Sequence, residues 1–192
     1  MIYTDYEKAA KRHLLTCFQL KEILREKYQR KETLSSSEAM EPPLSGLESE
    51  QKQALLSNLY YLSGYVIECI YNYAIYKHIG FTGQVNRLNP NSTPYRVSCH
   101  SRSGARFVIR RPAHQLSGNM HFFQTVIQIQ GASMIPLIGY PIYPPRPCYR
   151  LFDNWNANVR YSIDRSLNLD YSNTYDFLSL ADEIYEGVLR YL

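Results

Sequence analysis

Between Leu47 and Lys77 the chain has no proline and a single glycine, Gly64, while apolar residues recur every three or four positions. Proline and glycine are the residues that interrupt helices, so an uninterrupted run with this period reads as one long helix. Leu55, Leu59, Leu62, Val66, Cys69 or Ile70, and Tyr73 make its apolar stripe. Ser45 followed by Glu48 has the reciprocal capping pattern at the start, and Gly80 supplies a residue tolerant of the left-handed stop. A helix is expected over 47–78.

Other segments repeat the signal. Over 3–31, Ala10, Leu14, Cys17, Leu20 or Phe18, and Leu24 share a stripe, and Thr4 with Glu7 fits a second capping box. Over 174–191, Leu178, Ala181, Ile184 or Tyr185, Val188 and Leu192 do the same. CYRLFDNWNANVRYSID (148–164) reads as a helix with Tyr149, Phe152, Trp155 and Val159 on one face. Residues 116–130 are expected to be helical, although the β-branched TVIQI suits a strand as well. Residues 33–46 read as a loop, RFVIRR as a short strand, and 81–113 and 134–147 as irregular insertions. The expected fold is all-α: one domain over 1–192, an antiparallel up-and-down bundle of about five helices with a long insertion after the second.

Composition supports a packed core and excludes several classes. With 45% hydrophobic residues the chain can bury enough apolar surface to fold. The opening residues lack an apolar signal-peptide core, and no apolar run reaches the ~18 residues of a membrane span, so the expected location is cytoplasmic. Cys17, Cys69, Cys99 and Cys148 lie far apart, which suits reduced thiols. Cys99, His100, Cys148, His114 and His121 lack the paired short spacing of a zinc site, and no metal or other cofactor is expected. The glycine pattern of a nucleophile elbow is missing, and GFTG and SRSG are too short for phosphate loops.

Charge is unevenly spread. From residue 69 to 152 there is no acid, while the same stretch holds nine bases and four of the five histidines. One-signed stretches of this kind suit a surface that meets phosphate. Arg102, Arg106, Arg110 and Arg111, with His114, are the candidate anion-binding face, since guanidinium forks match phosphate geometry. His114 is either a ligand for that anion or a residue that buttresses the loop. The arginines otherwise pair with acids from the terminal helices.

Two segments resemble the HEPN family, named for nucleotide binding in higher eukaryotes and prokaryotes. NLYYLSGYVIECIYNYAIYK (58–77) is similar to the family's second helix, with Gly64 as the small residue and Glu68 as the acid that follows. WNANVRYSID (155–164) and LSLADEIYEGVLRYL (178–192) resemble its late Arg-Tyr pair and closing helix through Arg160, Tyr161, Ala181 and Ile184. HQL (114–116) is similar to the opening of the middle helix. The resemblance implies a helical bundle that binds RNA or a nucleotide, pairs as a homodimer, and serves toxin–antitoxin or defence systems beside a nucleotidyltransferase-type partner. Its ribonuclease members carry an Arg followed after four to six residues by a His. No Arg of this chain has that spacing, so no catalytic residue is assigned. Glu68 is expected either to pair with Arg160 inside the bundle or to border a ligand pocket with Arg160 and Tyr161.

Overall fold

The computed structural model describes residues 2–36, 44–80, 95–100, 106–111, 114–129, 146–160 and 167–192, with backbone alone for 34–36, both strands, 129, 146–147 and 160. Helices build the core: α1 (Thr4–Ile23), α2 (Arg30–Ser36), α3 (Gly46–His78), α4 (Leu116–Ile129), α5 (Arg146–Asn154) and α6 (Tyr171–Tyr191). A π-helical segment, Leu24–Gln29, joins α1 to α2. The fold is all-α. A two-stranded antiparallel ribbon, β1 (Tyr95–His100) and β2 (Arg106–Arg111), is appended to it. No described helix is long and apolar enough to cross a membrane.

α3 is the hub. Ser45 caps it by accepting from the Glu48 backbone N–H, while the Glu48 carboxylate accepts from the Ser45 N–H at 2.9 Å. Gly80 follows at φ +67°, the left-handed stop that the sequence predicts. The helix buries more than one stripe. Leu59, Tyr60, Val66, Ile67, Ile70, Ala74 and Ile75 are wholly inaccessible, whereas Leu55, Leu62 and Tyr73 are only partly covered. Burying each large aliphatic side chain is worth about 1.5–3 kcal/mol, so this surround is the main source of stability.

α1 lies antiparallel on α3: Tyr6 stacks on Tyr76, His13 tilts against Tyr65, and Tyr28 Oη donates to Gln51 Oε1 at 3.1 Å. Ala10, Leu14, Cys17 and Leu24 are buried as expected, while Phe18 is exposed. α6 runs in the same sense as α3, since Phe177 meets Tyr60 and Tyr191 meets His78. α4 does likewise. The up-and-down arrangement therefore holds for α1 against α3 but not for α4 or α6. The long connection after α3 returns the chain part-way along that helix, to Glu68, before α4 begins.

Four local expectations are corrected. Thr4 and Glu7 form no capping box, because Tyr3 already has helical angles and makes no side-chain cap. Thr33–Ser36 belong to α2, which corrects the loop expected from residue 33, and residues 37–43 lie outside the described residues. The 148–164 helix stops at Asn154. There Asn154 Nδ2 donates to the Arg150 carbonyl at 2.8 Å, and Asn156 Oδ1 accepts from the Asn158 N–H at 2.9 Å. Short amide side chains that take up backbone groups this way compete with the helix. A 3-10 turn, Ala157–Arg160, follows. Cys148, Leu151, Phe152, Trp155 and Val159 face inward, and Tyr149 is exposed. The insertion expected over 134–147 lies mostly outside the described residues, and α5 already includes Arg146 and Pro147. TVIQI is helical, within α4.

Breaking the helix at Asn154 turns Trp155 onto α3. Its ring lies so close to Gly64 that any Cβ there would overlap it. Trp155 Nε1 donates to the Tyr61 carbonyl at 3.2 Å, and Tyr65 meets the ring edge-on at 5.1 Å. Nearby, Tyr60 Oη donates to the Leu151 carbonyl at 2.8 Å. Gly64 is thus the seat of the indole.

Candidate functional site

On the α4 side of α3, Glu68 and Asn72 sit one turn apart and therefore share a face. Both are buried, Glu68 with 4% of its surface exposed. Across the seam, Asn119 in the first turns of α4 is fully buried. It lies one helical turn before Phe123, whose ring tilts against Tyr71 at 5.9 Å, so Asn119 faces the same seam.

His114 closes the seam at its end. It stands two residues before α4, at φ +50°, a left-handed conformation that non-glycine residues adopt at some cost. Its Nδ1 lies 2.8 Å from Glu68 Oε1, and about half of its side chain is in solvent. An imidazole whose Nδ1–H donates to a buried carboxylate is fixed in tautomer and orientation, with its other nitrogen turned away from the carboxylate. When the imidazole is protonated the two form an ion pair with no net charge.

The seam is also short of partners. Six buried side-chain polar atoms have no hydrogen-bond partner among the described residues, and four of them are here: Glu68 Oε2, Asn72 Oδ1, and both amide atoms of Asn119. Each such group costs about 1–3 kcal/mol when left unpaired in the interior. No comparable concentration occurs elsewhere in the described core.

The expected site residues divide as follows. Glu68 and His114 are brought together, a contact across 46 residues that no local pattern announces. Arg106, Arg110 and Arg111 all lie on β2, whose backbone comes close to α4. The ribbon register pairs Arg96 with Arg110 and His100 with Arg106. With a two-residue period, Arg96, His100, Arg106 and Arg110 belong to one face of the ribbon, and Arg111 belongs to the other with Val97, Phe107 and Ile109. A single face holding all the candidate arginines is therefore corrected in respect of Arg111. Arg102 and Tyr161 lie outside the described residues. Arg160 closes the 3-10 turn, and its side chain, and with it the expected pairing to Glu68, also lies outside them.

Asn72 and Asn119 were not singled out by the sequence; an Asn on an apolar helix face was the available signal. Among the described residues, no three His, Cys, Asp or Glu side chains gather as a metal site. Cys17, Cys69 and Cys148 are in no disulfide, and burial pushes the Cys17 and Cys148 thiols up to about 11, which marks these two as packing residues. No family model, no curated protein and no solved structure matches the chain.

Proposed function

We propose that the chain is a HEPN-like, non-catalytic protein that binds RNA or a nucleotide through the basic face of its ribbon and the adjoining start of α4. The observation that carries this reading is the register, which assigns Arg96, His100, Arg106 and Arg110 to one face. From Arg110 the chain reaches His114 in four residues, and then the N-terminus of α4, where free backbone N–H groups favour an anion. No acid between residues 69 and 152 offsets this charge from within the segment. The homodimer, the toxin–antitoxin setting, the nucleotidyltransferase-type partner and the cytoplasmic location that accompany the resemblance belong to the same proposal.

Titrating Arg106→Ala/Arg110→Ala with single-stranded RNA at two salt concentrations tests it. Each lost phosphate contact should lower the salt slope by about 0.7, so the double variant should lose about 1.4 and bind more weakly at low salt. Arg111→Ala, on the opposite face, should change the slope less. Unchanged affinity and slope in the double variant would leave the second reading, a helical protein-interaction module. That reading is favoured by Leu15, Phe18 and Ile23, which α1 exposes.

A further inference from the structure

Resting on the nucleotide reading above, we propose that the polar seam beneath His114 recognises a guanine base. The unpaired atoms there are three acceptors, Glu68 Oε2, Asn72 Oδ1 and Asn119 Oδ1, and one donor, Asn119 Nδ2. A complementary ligand carries more donors than acceptors along one edge. Guanine does: its Watson–Crick edge presents N1–H, the N2 amino group and a single acceptor, O6. Adenine, cytosine and uracil each present at least as many acceptors as donor groups, and would set acceptor against acceptor in this seam.

The geometry supplies a route. Glu68 Oε1 is held by an imidazole that is half in solvent, and Oε2 has no partner. Turning the His114 ring outward releases Glu68 Oε1 and leaves a carboxylate fork that accepts N1–H and N2–H together. Asn119 Nδ2, on the facing helix, is the donor available to O6. The phosphate of the same nucleotide then lies toward the start of α4 and the ribbon.

The test is calorimetric titration of the intact chain with GMP, IMP, AMP, CMP and UMP, followed by the same series on Glu68→Gln. One bidentate base contact discriminates by about five- to 150-fold, so GMP should exceed AMP, CMP and UMP by that range. IMP, which lacks the N2 amino group, should fall between GMP and AMP. In Glu68→Gln, where one carboxylate oxygen becomes an amino group, GMP should drop to the level of AMP. Equal binding of GMP and AMP by the unaltered chain, or a preference that survives in Glu68→Gln, overturns the guanine site. If all five nucleotides bind alike with strong salt dependence, the guanine site falls and the phosphate reading stands. If neither nucleotides nor single-stranded RNA bind, both fall. The comparison among ligands needs no variant, so a poorly folding Glu68→Gln leaves it decisive.

Discussion

Two of the seams of α3, toward α1 and toward α4, are built on opposite principles. Toward α1 the contacts are aliphatic and aromatic, and the buried Ser63 hydroxyl there donates to Cys17 Sγ at 3.7 Å. Toward α4 the seam carries a carboxylate and two amides with four unpaired atoms. Stability alone would fill the second seam as it fills the first, since apolar replacements of unsatisfied polar groups are often neutral or favourable. The difference teaches that the α1 seam holds the fold, while the α4 seam gives up stability by burying polar groups without partners.

The largest effect should come from breaking the apolar side. Trp155→Ala should destabilise by about 3–5 kcal/mol, as removal of a buried aromatic does. Gly64→Ala should cost a comparable amount by displacing the ring, although alanine is otherwise the better helix former. Urea unfolding measures both, and a Gly64→Ala protein as stable as the parent would show that the indole is not seated there.

The opposite sign is expected across the hub. Asn119→Leu removes two unpaired buried atoms and should raise stability by about 1–3 kcal/mol while weakening nucleotide binding. A loss of stability would mean that the amide is satisfied in solution, and would erase the contrast between the seams.

A smaller effect belongs to the start of α3. Ser45→Ala should cost about 1 kcal/mol, the usual worth of an N-cap hydroxyl. Thr4→Ala should cost nothing measurable, since Thr4 caps nothing; equal losses at the two sites would refute the distinction.

The smallest effect is a pH dependence at the same cap. Hydrogen bonds from Lys31, and then from the Ser45 backbone and hydroxyl, hold the Glu48 carboxyl down at about 2. A carboxylate depressed in the folded state contributes stability that is complete above its ordinary value near 4.5. That contribution is lost as pH falls from there through about 2. Glu48→Gln should flatten this part of the acid-unfolding profile, and a profile of unchanged slope would exclude the assignment.

Some of this architecture was legible in the residues and some was not, for physical reasons. α3 could be read nearly end to end because its start is a local hydrogen-bond pattern and its stop a glycine. The cap of α6 follows the same chemistry, with Asp170 accepting from the Asn173 N–H at 2.9 Å, but Asn in place of Glu at the third helical position hid it. The break after Asn154 was obscured because Trp155 and Val159 keep a helical spacing even though the chain between them is not α-helical. Glu68 stood out as an acid among aromatics. Its partner could not be read, since the choice among distant cations depends on how α4 is delivered along α3. The ribbon was visible in part: RFVIRR has strand character, whereas YRVSCH has too little alternation to announce its mate.

The π-helical segment between α1 and α2 has a consequence for how the chain tolerates a change in length. A π turn closes on the fifth residue rather than the fourth and so stores one residue more than an α turn. Deleting one residue within Leu24–Gln29 would let the helix continue as plain α with the residues beyond that point at nearly the same angle, whereas a deletion within α1 itself would turn them by about 100°. The first deletion would keep Lys31 beside Glu48, now 2.9 Å away, and Glu32 beside Lys52, now 2.7 Å away, and the second would part both pairs. The segment works as a phase adjuster, setting where the end of the first rod points when it reaches the start of the third helix.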